Sequence, residues 1–94
     1  MDNNLYLTTR LGNITEEYIP STEEGQAIRN AQTEIILWCI NAGNFRTKKE
    51  VENYISNMEE EIIGYKFAND TSYLTKVAEA KLKELRLFYN QMDD

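Results

Sequence analysis

The residues able to do chemistry in this chain are few, and their spacing favours contact over catalysis. Three cations fall within four positions at Arg46-Thr47-Lys48-Lys49, where a helix is expected to begin. Positive side chains there oppose the helix dipole unless an anion or an acidic surface answers them, and the free amides of a first turn could also hold a phosphate or carboxylate. Glu50 and Glu52 offer a local neutralisation instead. Lys66 stands between Tyr65 and Phe67, an arrangement that suits stacking of a base or, more plainly, a snorkelling lysine on packed rings. Arg46, Lys48, Lys49, Tyr65 and Lys66 are therefore the candidate partner-binding residues.

Catalytic sets are missing from the sequence. There is no histidine, which removes the commonest general base and metal ligand together. Cys39 is the only cysteine, and it sits late in an expected helix among bulky apolar residues that disfavour a thiolate. Gly12, Gly25, Gly43 and Gly64 are too isolated to cradle a phosphate. The carboxylate runs Glu16-Glu17, Glu23-Glu24 and Glu59-Glu60-Glu61 have no second cluster at di-metal spacing and read as solvated faces. The expectation is a non-enzymatic protein with no metal and no cofactor.

The elements that must position these residues follow from caps and periodicity. Ser21 with Glu24 has the spacing of a capping box after Pro20, and Ile28, Ala31, Ile35, Trp38 and Ala42 recur at helical steps, predicting a helix over 22–42 that ends at Gly43. Thr47 with Glu50, preceded by Phe45, opens a second helix over 48–66 whose stripe is Val51, Tyr54, Ile55, Met58, Ile62 and Tyr65. Asn69-Asp70-Thr71-Ser72 favours a turn and an N-cap, and Leu74, Ala78, Leu82, Leu85, Tyr89 and Met92, widened by Val77 and Phe88, predict a third helix over 72–91. The short connection makes the last two an antiparallel hairpin. Residues 1–19 carry Leu5, Leu7, Leu11, Ile14, Tyr18 and Ile19 in a looser pattern, read as an arm docked across the bundle or a short helix near 14–19.

The expected fold is thus all-α, a small three-helix bundle within one 94-residue domain, with residues 1–19 as arm or short helix and 20–94 as helical core. The apolar run Ile35-Ile36-Leu37-Trp38-Cys39-Ile40 would cover every side of a helix, since side chains step by about 100° around the axis. Its outer side needs cover from the arm, a third helix or a second copy, and the last makes homo-oligomerisation an expectation. A net charge of −6 disfavours general nucleic-acid binding and suits basic partners. A lone cysteine, no membrane-length apolar run and no secretory pattern at the N-terminus point to the cytoplasm.

Within the third expected helix, Thr71-Ser72-Tyr73-Leu74-Thr75-Lys76-Val77-Ala78-Glu79-Ala80-Lys81-Leu82 resembles the second helix of the phage anti-CBASS and anti-Thoeris sponges, helical-hairpin proteins that sequester cyclic-nucleotide signals. The similarity covers about residues 69–88: a small hydroxyl residue three before an aliphatic, then Lys-Val-x-Glu-Ala-Lys-aliphatic. It implies an all-helical oligomer with ligand sites between protomers, and carries Thr71, Thr75 and Lys76 over as ligand-binding candidates. Asp70 stands where the family has an arginine, and Leu85-Arg86-Leu87-Phe88-Tyr89 replaces its small-residue-rich ending. Three functions follow. The first is stoichiometric binding to a host defence or regulatory protein, in the manner of inhibitors carried by phages and mobile elements. The second is a sponge for cyclic oligonucleotides, with Arg46, Lys48, Lys66 or Lys76 and a tyrosine in one pocket, and the third a self-assembling structural subunit.

Overall fold

In a computed structural model, residues 3–16, 22–41, 44–68 and 73–92 are described. Four helices carry the fold: α1 (Asn3–Glu16), α2 (Glu23–Cys39), α3 (Lys48–Phe67) and α4 (Leu74–Gln91). A two-residue antiparallel ladder joins α2 to α3, with β1 (Ile40–Asn41) paired to β2 (Asn44–Phe45). The class is all-α, and among the described residues the bundle has four helices rather than three.

Local chemistry explains where the helices start and stop. Ser21, the expected cap of α2, lies outside the described residues. Thr22 performs the task, its hydroxyl accepting from the Gly25 amide at 3.0 Å, and Glu23 and Glu24 face the positive end of the dipole. α2 stops at Cys39, short of residue 42, because the chain turns extended into the ladder. Arg46 holds this exit: its backbone N–H reaches the Cys39 carbonyl at 3.3 Å and its Nε donates to the Trp38 carbonyl at 2.8 Å. Two carbonyls left without intrahelical donors are thereby satisfied.

α3 opens on a complete capping box. Thr47 Oγ1 accepts from the Glu50 amide at 3.2 Å while Glu50 accepts from the Thr47 amide at 3.1 Å. Hydrogen bonds from the Thr47 backbone, and then from its hydroxyl, hold the Glu50 carboxyl below the usual carboxylate range. A depressed carboxyl contributes stability that is complete above its unfolded-state pKa and is lost as pH falls through the folded one. Thr47→Ala removes the N-cap acceptor and should cost about 1 kcal/mol in urea unfolding at neutral pH. The gap between variant and wild type should narrow on acidification. Thr71 and Ser72, expected to cap the next helix, lie outside the described residues.

Three cross-links show that α3 and α4 lie antiparallel: Glu52 accepts from Tyr89 Oη at 2.7 Å, Glu59 pairs with Arg86 at 3.2 Å and Lys66 with Glu79 at 3.6 Å. α2 and α4 run in the same sense, since Glu24 pairs with Lys76 at 2.9 Å and Glu34 with Lys81 at 3.3 Å. α4 packs against both α3 and α2, and α1 packs against α2. The core joins Ile35, Ile36 and Cys39 of α2, Val51, Met58 and Ile62 of α3, and Ala78, Leu82, Leu85 and Phe88 of α4, with Leu7 and Ile14 of α1.

The N-terminal segment is the principal correction. It is not an arm, and its helix is not confined to the region near 14–19. Leu7, Leu11 and Ile14, at steps of four and three, form the buried side of a 14-residue helix. Arg29 donates to the Ile14 carbonyl, satisfying one acceptor in the last turn of α1. On the opposite helix, Arg10 Nε donates to both Glu84 oxygens at 3.1 Å, and Tyr6 stacks on Phe88 at 6.2 Å between ring centroids. Burial, reinforced by the Glu84 charge, pushes the Tyr6 phenol pKa above its ordinary value. With α1 in place, Ile35, Ile36 and Cys39 are buried inside one chain, and of the apolar run only Leu37 and Ile40 stay exposed, at 54% and 38%. Cover over the buried part of this run comes from α1 and α4 of the same chain.

Candidate functional site

The residues singled out in the sequence are distributed over both ends of the α3–α4 hairpin. At the end where α3 begins, Arg46 is committed to the α2 exit, sits 4.5 Å over the Trp38 ring and pairs with Glu50 at 3.3 Å. Lys48 Nζ lies 5.0 Å from the Tyr89 ring centroid, and Lys49 is exposed. At the far end, Tyr65 donates to Glu61 at 2.7 Å, Lys66 pairs with Glu79, and Lys76 pairs with Glu24. Thr75 is half-buried, and Thr71 lies outside the described residues. Eighteen residues of helix separate Lys48 from Lys66, about 27 Å along the axis. Lys48 and Lys66 therefore cannot share one pocket of a single chain.

Cys39 is buried, and desolvation raises its thiol to about 12, a rise that the Arg46 charge moderates and Glu84 reinforces. A group so raised is protonated and unreactive at neutral pH. Alkylation of Cys39 by iodoacetamide at pH 8 should thus track unfolding, and fast labelling of the native protein would contradict this packing. Among the described residues, no group of three or more His, Cys, Asp and Glu is placed to hold a metal ion.

Besides a depression of about 470 Å³ between α3 and α4, lined by Glu52, Ile55, Ser56, Arg86, Tyr89 and Asn90, two further surface depressions lie among the described residues. One is a crevice between α2 and α3, about 440 Å³, where Trp38 meets Tyr54 edge to face at 4.7 Å above Met58. Asn53, Asn57, Glu50 and Glu61 edge it, and Lys81 at its side is already paired with Glu34. Two carboxylates in these walls oppose entry of a phosphate.

The other is an open groove of about 450 Å³ along the outer face of α3–α4. Ile62 and Leu82 form its floor, Lys66, Lys83, Arg86 and Glu79 its walls, and Leu87 part of its edge. Ile63 and Phe67, one helical turn apart on α3, are 66% and 90% exposed, and Leu74 and Leu87 on α4 are also largely exposed. Both ion pairs at this face, Lys66 with Glu79 and Arg86 with Glu59, are solvent-exposed and contribute at most about 1 kcal/mol each. Single exposed leucines are ordinary on protein surfaces; here Ile63 and Phe67 share one side of α3, and Leu87 lines the groove.

Sequence reading placed Ile62 and Leu82 on the core stripes and named Phe67 only as a ring beside Lys66; it did not single out Ile63, Lys83 or Arg86. A usable signal existed in the second apolar row, Ile63 and Phe67, running beside the main stripe of α3 at i, i+4 spacing.

Together the fold and surface define a small all-α bundle presenting a grooved helical hairpin, in which no helix is long and apolar enough to cross a membrane among the described residues. Comparisons with protein-family models, curated proteins and solved structures give no match.

Proposed function

We propose that this protein is a non-enzymatic binding module that docks stoichiometrically on a host defence or regulatory protein through the outer face of its α3–α4 hairpin. The single observation carrying this reading is the exposure of Phe67, at 90%, and Ile63, at 66%, on the same helix that supplies Ile62 and Lys66 to an apolar-floored groove. Side chains of this kind gain by leaving water at an interface, and aromatic anchors dominate binding energy where they are buried on association. The buried, protonated thiol of Cys39 suits a reducing cytoplasm.

The test is a pull-down from host lysate, read by mass spectrometry, with wild type and an Ile63→Asp/Phe67→Asp double variant. The wild type should hold one partner at fixed molar ratio and the variant should lose it. Both side chains are exposed, and acids at the C-terminal end of α3 oppose its dipole, so the variant should lose about 1 kcal/mol and stay folded. Retention of the partner by a folded variant would move the docking surface elsewhere.

Sequestration of a cyclic oligonucleotide is a second reading, drawing on Lys66, Lys83 and Arg86, which line one groove. Thermal unfolding against a panel of cyclic di- and trinucleotides separates the two, since a ligand at a hundredfold its Kd adds about 2.7 kcal/mol. A shift confined to one nucleotide would favour the sponge. Light scattering over a concentration series tests self-assembly, for which Leu37 and Ile40 are the exposed part of the apolar run.

A further inference from the structure

We infer that the occupant of the α3–α4 groove is an acidic amphipathic helix of the partner protein. This rests on the reading that the hairpin's outer face docks a protein, and adds what kind of segment it takes.

The first argument is shape. Two antiparallel helices make parallel ridges with Ile62 and Leu82 between them, the geometry into which a third helix lays an apolar row. On α4 the groove runs from Glu79 to Asn90, about 16 Å, or three turns of a docked helix. Such a helix would place apolar side chains at i, i+3 or i+4, and i+7 along the floor and leave its flanks against the walls.

Charge decides what those flanks carry. The chain as a whole is at −6, yet Lys66, Lys83 and Arg86 line the groove against Glu79, with Glu59 paired to Arg86 beside it. Lys83 makes no ion pair among the described residues, and the pairs of Lys66 and Arg86 are exposed enough to be exchanged for carboxylates of a partner. A local cationic excess on an acidic protein selects acidic flanks and rejects basic ones. It also disfavours a second copy docked face to face, since the cationic excess of both copies would meet in one interface.

The experiment is an NMR titration of the isotope-labelled full chain with three helical peptides of about twelve residues. One carries leucines at i, i+4 and i+7 with glutamates on the flanks, one has lysines in place of the glutamates, and one scrambles the first. Only the acidic amphipathic peptide should move the amides of Lys66, Lys83, Arg86 and Leu87. Lys83→Glu/Arg86→Glu should weaken it about tenfold or more, with a steep dependence on salt. Equal binding of the lysine peptide, shifts centred on Trp38, or no shifts at all would overturn the inference. Saturable shifts of the same amides with inorganic phosphate or a cyclic dinucleotide alone would assign the groove to an anion and overturn it too. So would a dimer in light scattering that Lys83→Glu/Arg86→Glu dissolves. In the lysate assay, a partner lost with Ile63→Asp/Phe67→Asp but kept with Lys83→Glu/Arg86→Glu would preserve the docking reading and remove the acidic helix. A partner kept by both variants would remove both.

Discussion

Arg10→Ala should lower the unfolding free energy by about 3–5 kcal/mol, an effect out of proportion to a partly exposed arginine. The side chain of Arg10 is 24% exposed and that of Glu84 only 2%. Arg10 Nε donates to both Glu84 oxygens at 3.1 Å, and Nη2 reaches Oε1 as well. Removing the guanidinium leaves a carboxylate inside the protein without its cation, and desolvation of the stranded charge sets the loss. Glu84→Leu should cost less than Arg10→Ala, because it removes the expensive buried charge and leaves the more exposed arginine to reach water. The double variant Arg10→Met/Glu84→Leu should recover much of the stability, since a packed apolar pair needs no desolvation of ions. Urea unfolding of wild type, Arg10→Met, Glu84→Leu and Arg10→Met/Glu84→Leu in a double-mutant cycle checks this. Equal losses for both single changes, with simple additivity, would show that the pair is not coupled. In Arg10→Ala, fast amide exchange confined to α1 would identify that helix as the unit released first.

Phe88→Ala should cost a comparable 3–5 kcal/mol, for a different reason. Phe88 is 1% exposed, is among the largest fully buried side chains, and stacks with Tyr6 of α1. Truncation deletes the transfer energy of the ring and leaves a cavity that rigid helices close only in part. It also removes an aromatic contact between α4 and α1, so near-ultraviolet dichroism should change while the helical signal persists below the melting range. Trp38→Ala should cost less, because the indole is only partly buried, its edge on Tyr54 and one face under Arg46. A larger loss for Trp38→Ala than for Phe88→Ala would displace the centre of the core from α4 to the α2–α3 crevice.

These two changes concern stability and leave the hairpin's outer face untouched, which makes them useful controls for the binding experiments. Ile63, Phe67, Lys83 and Arg86 are exposed, and their replacement should alter association with little effect on folding. Arg10 and Phe88 behave in the opposite way. A variant set divided along this line separates loss of a partner from loss of the fold.

Much of the architecture was legible in the residues because its signals are local. The 48–66 helix expected from Thr47, Glu50 and the Val51-Met58-Ile62 stripe is found as Lys48–Phe67, since a capping box and its first turn involve residues within four positions of one another. The 72–91 helix is found as Leu74–Gln91 for a similar reason, its period being carried by side chains of one segment. The absence of histidine and the isolation of the glycines are equally local facts, readable without coordinates. Other features depend on residues far apart in the chain. Arg10 and Glu84 are 74 positions from one another, and nothing in the neighbourhood of either announces the pairing. The Leu5, Leu7, Leu11 and Ile14 pattern is weak as a helix until α2 and α4 give it a surface to bury against, because tertiary packing rather than propensity supplies most of the stability of such a segment. The packing of α1 likewise decided how much of the Ile35–Ile40 run one chain could cover. The same holds for the groove: a stripe two residues wide can be read from α3 alone, but which apolar side chains remain outside it depends on where α4 comes to rest. Burial belongs to the whole assembly of helices, so periodicity in one of them specifies a face and leaves its occupant to the tertiary structure.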